Sequence, residues 1–115
     1  MGQQYPQGTR RYDRAPAEHQ VRIRVRSDRQ PDRVSRTRII SPGGCMLVSE
    51  DPLGPGSLLE LIISLDDHLL LTEARVAWEK PGPGEHQVGI EFLRIHPKDR
   101  ELLTRLVARK LGSAA

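Results

Sequence analysis

The chain has 115 residues, which is enough for one domain with a single hydrophobic core. Its one cysteine excludes an intramolecular disulfide and a cysteine-based metal cluster, and its apolar runs are far too short to span a bilayer. The net charge of +3 hides an excess of ten arginines over four acidic residues in residues 1–38, and this +6 segment favours either a phosphate-bearing partner or a solvated tail.

Residues 1–18 are rich in Gln, Gly, Pro and Arg and show no apolar period, which predicts a flexible, Arg-rich N-terminal segment. Because its first residues lack the apolar core of a signal peptide, we expect a cytoplasmic protein. Alternating apolar and polar side chains, separated by turns rich in Pro, Gly and Asp, then predict strands over residues 21–26, 35–40, 45–49, 58–65, 69–79 and 86–94.

After the last predicted strand the hydrophobic period changes to that of a helix. Leucine and valine recur at helical spacing over residues 97–111, Pro97 suits the first helical position, and Gly112 is the expected stop. The fold class is therefore predicted as all-β dominated, a six-stranded antiparallel β-barrel with a C-terminal α-helix, formed by residues 19–112.

The residues that could carry catalysis do not form a catalytic pattern. The four histidines are scattered without metal-ligand spacing, and Ser41 is followed by Pro-Gly-Gly, which is no nucleophile elbow. Cys45 begins an apolar strand and is predicted to be a buried thiol, while the adjacent Asp66 and Asp67 are predicted to form a turn. No P-loop or dinucleotide fingerprint is present, so we predict neither an enzyme nor a metal or cofactor site.

The scarcity of aromatic residues bears on nucleic-acid binding. Single strands are usually bound on aromatic platforms, and this chain has only Tyr5, Tyr12, Trp78 and Phe92. Trp78 and Phe92 fall on strand positions that predict burial in the core. A nucleic-acid polymer therefore remains the weaker interpretation of the basic segment.

Several short motifs follow one another in a recognisable order. Arg10 and Arg14 have R-x-x-x-R spacing, and Ser41-Pro42-Gly43-Gly44 fits the S-x-x-G part of a second motif. The later motifs are Gly56-Ser57-Leu58-Leu59-Glu60-Leu61, Ala74-Arg75-Val76-Ala77-Trp78, Val88-Gly89-Ile90-Glu91-Phe92 and the helix start at residues 97–103. Together they make residues 9–110 resemble the PilZ domain, the bacterial receptor module for cyclic di-GMP.

The resemblance implies a non-enzymatic receptor that binds cyclic di-GMP and signals to an effector protein, still to be identified, in motility or biofilm regulation. Arg10 and Arg14 would bind phosphate oxygens and guanine, and Arg11 would add positive charge. Ser41 would hydrogen-bond the ligand, and Gly44 would let the backbone approach it closely. The family fold, a six-stranded antiparallel barrel with a C-terminal helix, agrees with the strand count above.

One position departs from the family pattern. Ile39 stands where the second motif has Asp or Asn, and its side chain cannot supply polar contacts. Losing one charge-assisted hydrogen bond costs about 1–3 kcal/mol, which is about tenfold to a hundredfold in affinity. The alternative function is therefore a degenerate PilZ adaptor that does not bind nucleotide and acts only through protein contact.

Overall fold

Six antiparallel strands close into a barrel in the computed structural model, which describes residues 12–26 and 30–113. A short strand, β1 (Ala15–Pro16), precedes the six barrel strands. These are β2 (Gln20–Val25), β3 (Arg33–Ser41), β4 (Gly44–Ser49), β5 (Leu58–Leu65), β6 (His68–Gly82) and β7 (Glu85–Phe92). Around the barrel the order is β3-β2-β5-β6-β7-β4, and β4 pairs back with β3, while the short β1 lies beside β3. A C-terminal helix, α1 (Pro97–Ser113), follows. The predicted six-stranded barrel with one terminal helix is confirmed.

The core fills the inside of the barrel because successive side chains of a strand point to opposite faces. On β2, Val21 and Ile23 are buried, whereas Arg22 and Arg24 point outward. The largest fully buried side chains of the barrel are Val21, Ile23, Ile40, Leu47, Leu59, Leu61, Ile63, Leu70, Val76 and Val88. Each contributes about 1.5–3 kcal/mol relative to an exposed position. The alternation that predicted these strands is thus the alternation between core and solvent.

The hairpin of β6 and β7 is longer than its sequence predicts. Residues 80–85 are predicted as a loop, but Lys80, Pro81 and Gly82 continue β6 and pair with Gln87, His86 and Glu85 of β7. The prediction was wrong because it treated Pro81 as a strand breaker. The pairing between β5 and β6 has already ended at Arg75, so Pro81 lies on a free edge of β6, where a missing N–H breaks no ladder.

The short strand β1 lies within the segment that the sequence predicts to be flexible. Ala15 and Pro16 pair with Ile40 and Ile39 of β3, and Ala15 is only 1% exposed. The Thr37 hydroxyl extends this pairing, because it donates to the Ala17 carbonyl at 2.7 Å and accepts the His19 N–H at 2.9 Å. The segment from residue 15 onward is therefore joined to the barrel wall, although small side chains give it little apolar signal.

Helix α1 packs its apolar stripe on β1 and β3. Leu103, Leu106 and Val107 are buried, and Pro97 occupies the first position, where its missing N–H breaks no helical hydrogen bond. The predicted stop at Gly112 is wrong by one residue, since the helix continues to Ser113 and Gly112 does not adopt a positive φ. No helix within the described ranges combines the length and apolar character that crossing a membrane requires.

His19, between β1 and β2, should make the stability depend on pH. Burial lowers the pKa of His19 below its ordinary value of 6.5; Lys110 also lowers it, against the opposing effect of Asp66. Its Nε2 is buried without a hydrogen-bond partner in the described part of the chain. As the pH falls, His19 therefore takes up a proton more readily in the unfolded chain than in the folded one. The contribution of neutral His19 to the free energy of unfolding is present above pH 6.5 and should be lost as the pH falls below it. Urea unfolding at pH values on both sides of 6.5 measures this loss, and His19→Gln should reduce its slope. Parallel curves for both proteins would contradict the assignment.

Candidate functional site

Two β-bulges, one in β3 and one in β6, flank the paired strands β4 and β7 at the same level of the barrel wall. The first lies between Thr37 and Ile39, where β3 pairs with β4, and it makes Arg38 an extra residue in the strand. The second lies between Val76 and Trp78, where β6 pairs with β7, and there Ala77 is the extra residue. A bulge reverses which side chains of a strand face inward and is common beside functional sites. These two bulges direct Ile39 and Trp78 out of the core.

The reversed side chains line a surface hollow of about 270 Å³. Its walls come from β3, β4, β6 and β7 and from the residues just before β1. The lining residues are Tyr12, Arg14, Ile39, Ser41, Gly43, Gly44, Cys45, Met46, Trp78, Gly89, Ile90 and Glu91. Three of the five predicted ligand residues, Arg14, Ser41 and Gly44, therefore meet in one place. Arg10 and Arg11 lie outside the described residues, so their roles remain predictions.

The pairing of β1 brings Arg14 to this hollow. Because Ala15 is paired with Ile40, the residue before it lies beside Ser41, at the end of β3. The Arg14 side chain is exposed, and it has no hydrogen-bond or ion-pair partner within residues 12–26 and 30–113. A guanidinium in this condition keeps all its N–H groups available for an anion.

Ser41 holds the tight turn that joins β3 to β4. Its Oγ accepts the N–H groups of Gly43 and Gly44, each at 3.1 Å, and donates to the Gly44 carbonyl at 3.3 Å. The predicted turn is confirmed. Ser41 is buried, with 9% of its surface exposed, so its hydroxyl has a structural task that does not depend on a ligand.

Gly44 also has a structural reason to be glycine. A Cβ at this position would overlap the carbonyl oxygen of Ile90 on β7, with which β4 is paired. The close backbone contact at Gly44 is therefore one between strands. The neighbouring Gly43 faces the other way, and a Cβ there would lie 2.9 Å from Cδ2 of Tyr12.

Tyr12 connects the N-terminal segment to the turn and to α1. One edge of its ring lies against Gly43, and the guanidinium carbon of Arg100 lies 5.6 Å from the ring centroid, within the range of a cation–π contact. The Arg100 Nε is buried and has no hydrogen-bond partner in the described residues. Tyr12, the middle residue of the R-x-x-x-R motif, thus contacts both the hollow and the helix.

Trp78 is the residue that the sequence analysis placed wrongly. It was predicted to be in the core, but its side chain is 45% exposed and its indole ring lies over the backbone of Gly89, where any Cβ would overlap the ring. The physical reason is the bulge at Ala77, which a period of two residues does not reveal. The usable signal was the glycine directly opposite, because Gly89 leaves room for a large flat ring. Phe92, by contrast, is buried as predicted.

The residue after Trp78 fixes the bulge from the inside. Glu79 points inward, and its carboxylate accepts the N–H groups of Leu53 at 3.2 Å and Gly54 at 2.6 Å. It also pairs with the ring of His86 on β7, and the side chains of both residues are largely buried. Breaking these contacts would leave a buried carboxylate without partners, so the outward position of Trp78 is held firmly.

Chemically, the described side chains of the hollow supply charge, apolar surface and a buried thiol. Burial raises the pKa of the Cys45 thiol to about 12, so this residue is a neutral buried thiol, as predicted. Within the part of the chain that the structure describes, no group of three or more histidine, cysteine or acidic side chains could hold a metal ion. The Glu91 carboxylate at the rim is already paired with Arg75 at 2.5 Å. Arg14 supplies positive charge, and Ile39, Met46 and Trp78 supply apolar surface.

A family model and several solved structures match the chain. The family model of the PilZ domain matches residues 8–109. Among solved structures, the inhibitor of motility MotI/DgrA from Bacillus subtilis is 25% identical with a TM-score of 0.80, and the match covers 90% of this chain and 52% of that protein. The chain thus spans about half the length of that relative. No curated protein sequence matches the chain.

Two further structures were solved with cyclic di-GMP, according to their descriptions. The PilZ domain of YcgR from Escherichia coli is 16% identical with a TM-score of 0.74, and the match covers 92% of this chain and 94% of that one. The MrkH complex from K. pneumonia is 19% identical with a TM-score of 0.74, and the match covers 91% of this chain and 52% of that one. At such identities the structural likeness supports the fold, and the match of the family model over nearly the whole chain shows that the protein is a member of the PilZ domain family.

Proposed function

We propose that this PilZ protein is a non-enzymatic receptor that binds cyclic di-GMP in the hollow between the two bulges and passes the signal to another protein. The observation that carries the proposal is the convergence of Arg14, the Ser41 turn and Trp78 on one surface. Cyclic di-GMP offers two anionic phosphates and two flat guanines, and this surface offers an unpaired guanidinium and an exposed indole that match both features.

The N-terminal segment completes the proposed site. Arg10 and Arg11 precede Arg14 by four and three residues, and the resemblance to the family implies that Arg10 binds the same ligand and that Arg11 adds positive charge. Three arginines would balance the two phosphate charges and leave guanidinium surface to stack on guanine. Ligand binding by these arginines would change the surroundings of Tyr12, which contacts Gly43 and Arg100.

The second candidate function is that of an adaptor without a nucleotide, and Ile39 favours it. The Ile39 side chain lines the same hollow as Arg14 and Ser41, at the position where the family motif has a carboxylate or an amide. A guanine edge placed there would have buried donors without acceptors, which costs about 1–3 kcal/mol. The relative described as an inhibitor of motility supports an effector in motility for either candidate.

Titration of cyclic di-GMP into the full chain decides between the two candidates. Trp78 is the only tryptophan, so its fluorescence reports on the hollow alone, and calorimetry gives the affinity independently. A receptor should show saturable heat and a matching fluorescence change, with GMP giving neither at the same concentration. Absence of both signals at high ligand concentration and low salt would establish the adaptor instead.

Replacing Ile39 with aspartate should raise the affinity for cyclic di-GMP. The new carboxylate would face the hollow and could accept hydrogen bonds from guanine, which is worth about 1–2 kcal/mol, or about tenfold in Kd. The matched variant Ile39→Leu keeps the apolar wall and should leave the affinity unchanged. Calorimetry on both variants tests this, and equal affinities for Ile39→Asp and the natural protein would contradict the proposed position of the ligand.

A further inference from the structure

On the other side of the barrel, the wall formed by β2, β5 and β6 carries exposed apolar side chains. Val34, Arg22, Ile62 and Leu71 stand directly opposite one another across β3, β2, β5 and β6. Leu69 lies two residues before Leu71 on the same face of β6, and Val34, Leu69 and Leu71 are 59%, 59% and 60% exposed. These are the most exposed large hydrophobic residues in the described part of the chain, and we call this row, with Leu69 and Arg36, the outer wall.

Beside the outer wall, three acidic side chains lie close to arginines. Asp32 pairs with Arg24 at 3.0 Å, and Glu60 lies 3.8 Å from Arg24 and 4.0 Å from Arg26. Glu73 lies 4.0 Å from Arg26 and 3.8 Å from Arg94. The carboxylates at this border therefore attract little further positive charge.

Two arginines of the outer wall have no such partner. Arg22 lies between Val34 and Ile62, and Arg36 lies two residues after Val34 on the same face of β3. Both side chains are exposed, and neither pairs with a carboxylate within residues 12–26 and 30–113. The side-chain charge within the outer wall itself is thus positive.

The surface here is concave. A hollow of about 470 Å³ lies over β2, β5 and β6, and its lining includes Arg22, Ile62 and Leu71. Exposed apolar groups surrounded by charged groups are typical of a surface that binds a protein segment.

We infer that the outer wall binds an amphipathic protein segment whose apolar side chains are flanked by aspartate or glutamate. The apolar side chains would cover Ile62, Leu69 and Leu71, and the carboxylates would pair with Arg22 and Arg36. The charge argues for this partner, because the two guanidinium groups without acids need anions from outside. The inference goes beyond nucleotide binding and does not depend on it, since the hollow at the bulges lies on β3, β4, β6 and β7.

Other occupants fit the wall less well. A nucleic acid would spread phosphates over the whole face, including the carboxylates of Asp32, Glu60 and Glu73, whereas a protein segment can confine its few carboxylates to Arg22 and Arg36. The aromatic residues of the described chain, Tyr12, Trp78 and Phe92, all lie elsewhere. An anionic lipid surface would likewise set phosphates against the same three carboxylates.

Selection of binders from a displayed library of random linear peptides tests the inference with the full chain as bait. The expected binders have Asp or Glu next to spaced apolar residues. Their affinity should fall about tenfold or more in Leu71→Ser and in Arg22→Glu. It should stay unchanged in two matched controls on α1, Leu111→Ser and Arg105→Glu, which also alter an exposed leucine and an exposed arginine.

Several results would overturn the inference. One is a library without binders, and another is binders whose affinity ignores both wall variants. A third is binding to phosphatidylglycerol vesicles or to a single-stranded oligonucleotide that Leu71→Ser and Arg22→Glu both weaken, which would assign the wall to that class of partner. A fourth is self-association in sedimentation runs that Leu71→Ser abolishes, which would assign the wall to a second copy. Cyclic di-GMP binding measured on Leu71→Ser and Arg22→Glu should be unaffected, so failure here and failure of the receptor proposal can be distinguished.

Discussion

Replacing Arg14 with alanine is expected to reduce cyclic di-GMP binding about a hundredfold or more. Arg14 is the only arginine among the described residues that lines the hollow at the bulges, and it is not held by a carboxylate. A bidentate contact between a guanidinium and a phosphate contains two charge-assisted hydrogen bonds, each worth about 1.5–3 kcal/mol. The loss is therefore about 3 kcal/mol at least, which is a hundredfold in Kd.

Calorimetry and Trp78 fluorescence measure this loss on the same samples. The Arg14 side chain is exposed and unpaired, so the variant should unfold at the same urea concentration as the natural protein. Arg24→Ala is the matched control, because Arg24 is also an exposed arginine but points outward from β2, away from the hollow. Equal binding in Arg14→Ala and Arg24→Ala would show that the nucleotide binds elsewhere on the chain.

The salt dependence of binding tests whether Arg14 acts on the ligand through its charge. Contacts between guanidinium groups and phosphates weaken as the salt concentration rises. The natural protein should therefore lose affinity with added salt more steeply than Arg14→Ala, provided that the variant still binds measurably. Identical slopes would mean that Arg14 acts on the shape of the hollow and not on the charge of the ligand.

The sequence predicted the barrel well because its core depends on a simple period. Val21 and Ile23 on β2 alternate with arginines, and this alternation is the same in the sequence and in space. The prediction from the sequence failed where a strand departs from the period of two residues. The bulges at Arg38 and Ala77 each add one residue, and no composition or spacing marks them.

In the candidate site, too, the residues set by local sequence could be predicted more readily than those set by contacts between distant strands. Ser41 and Gly44 could be predicted because turn chemistry is local, and Arg14 because the motif has fixed spacing. Trp78 was misplaced because its outward position depends on a bulge that the sequence does not mark, and the only signal for it was Gly89 on the neighbouring strand. The hydrogen bonds of Thr37 that join the β1 segment to β3 are likewise a tertiary feature, linking residues far apart in the chain. Local chemistry thus identified the Ser41 turn, and long-range pairing decided which other side chains surround it.

Gly44→Ala is expected to destabilise the fold by more than about 3 kcal/mol, a large part of the 5–15 kcal/mol typical of a whole domain. The new methyl group would overlap the Ile90 carbonyl oxygen, which belongs to the backbone and cannot turn away as a side chain could. Relief requires β4 and β7 to separate, and their pairing from Gly44 to Ser49 closes one side of the barrel. Urea unfolding of the two proteins measures the difference directly.

The result also decides why this position is glycine. If Gly44 serves only the approach of a ligand, Gly44→Ala should keep its stability and lose affinity alone. If it serves the contact between β4 and β7, stability should fall whether or not cyclic di-GMP is present. Gly112→Ala is the matched control, because nothing lies within 4 Å of a Cβ there and alanine favours the helix by up to about 1 kcal/mol over glycine. We expect the control to be as stable as the natural protein or slightly more so, and only the Gly44 variant to lose the barrel, since the backbone of β7 and not the ligand occupies the space that a side chain would need.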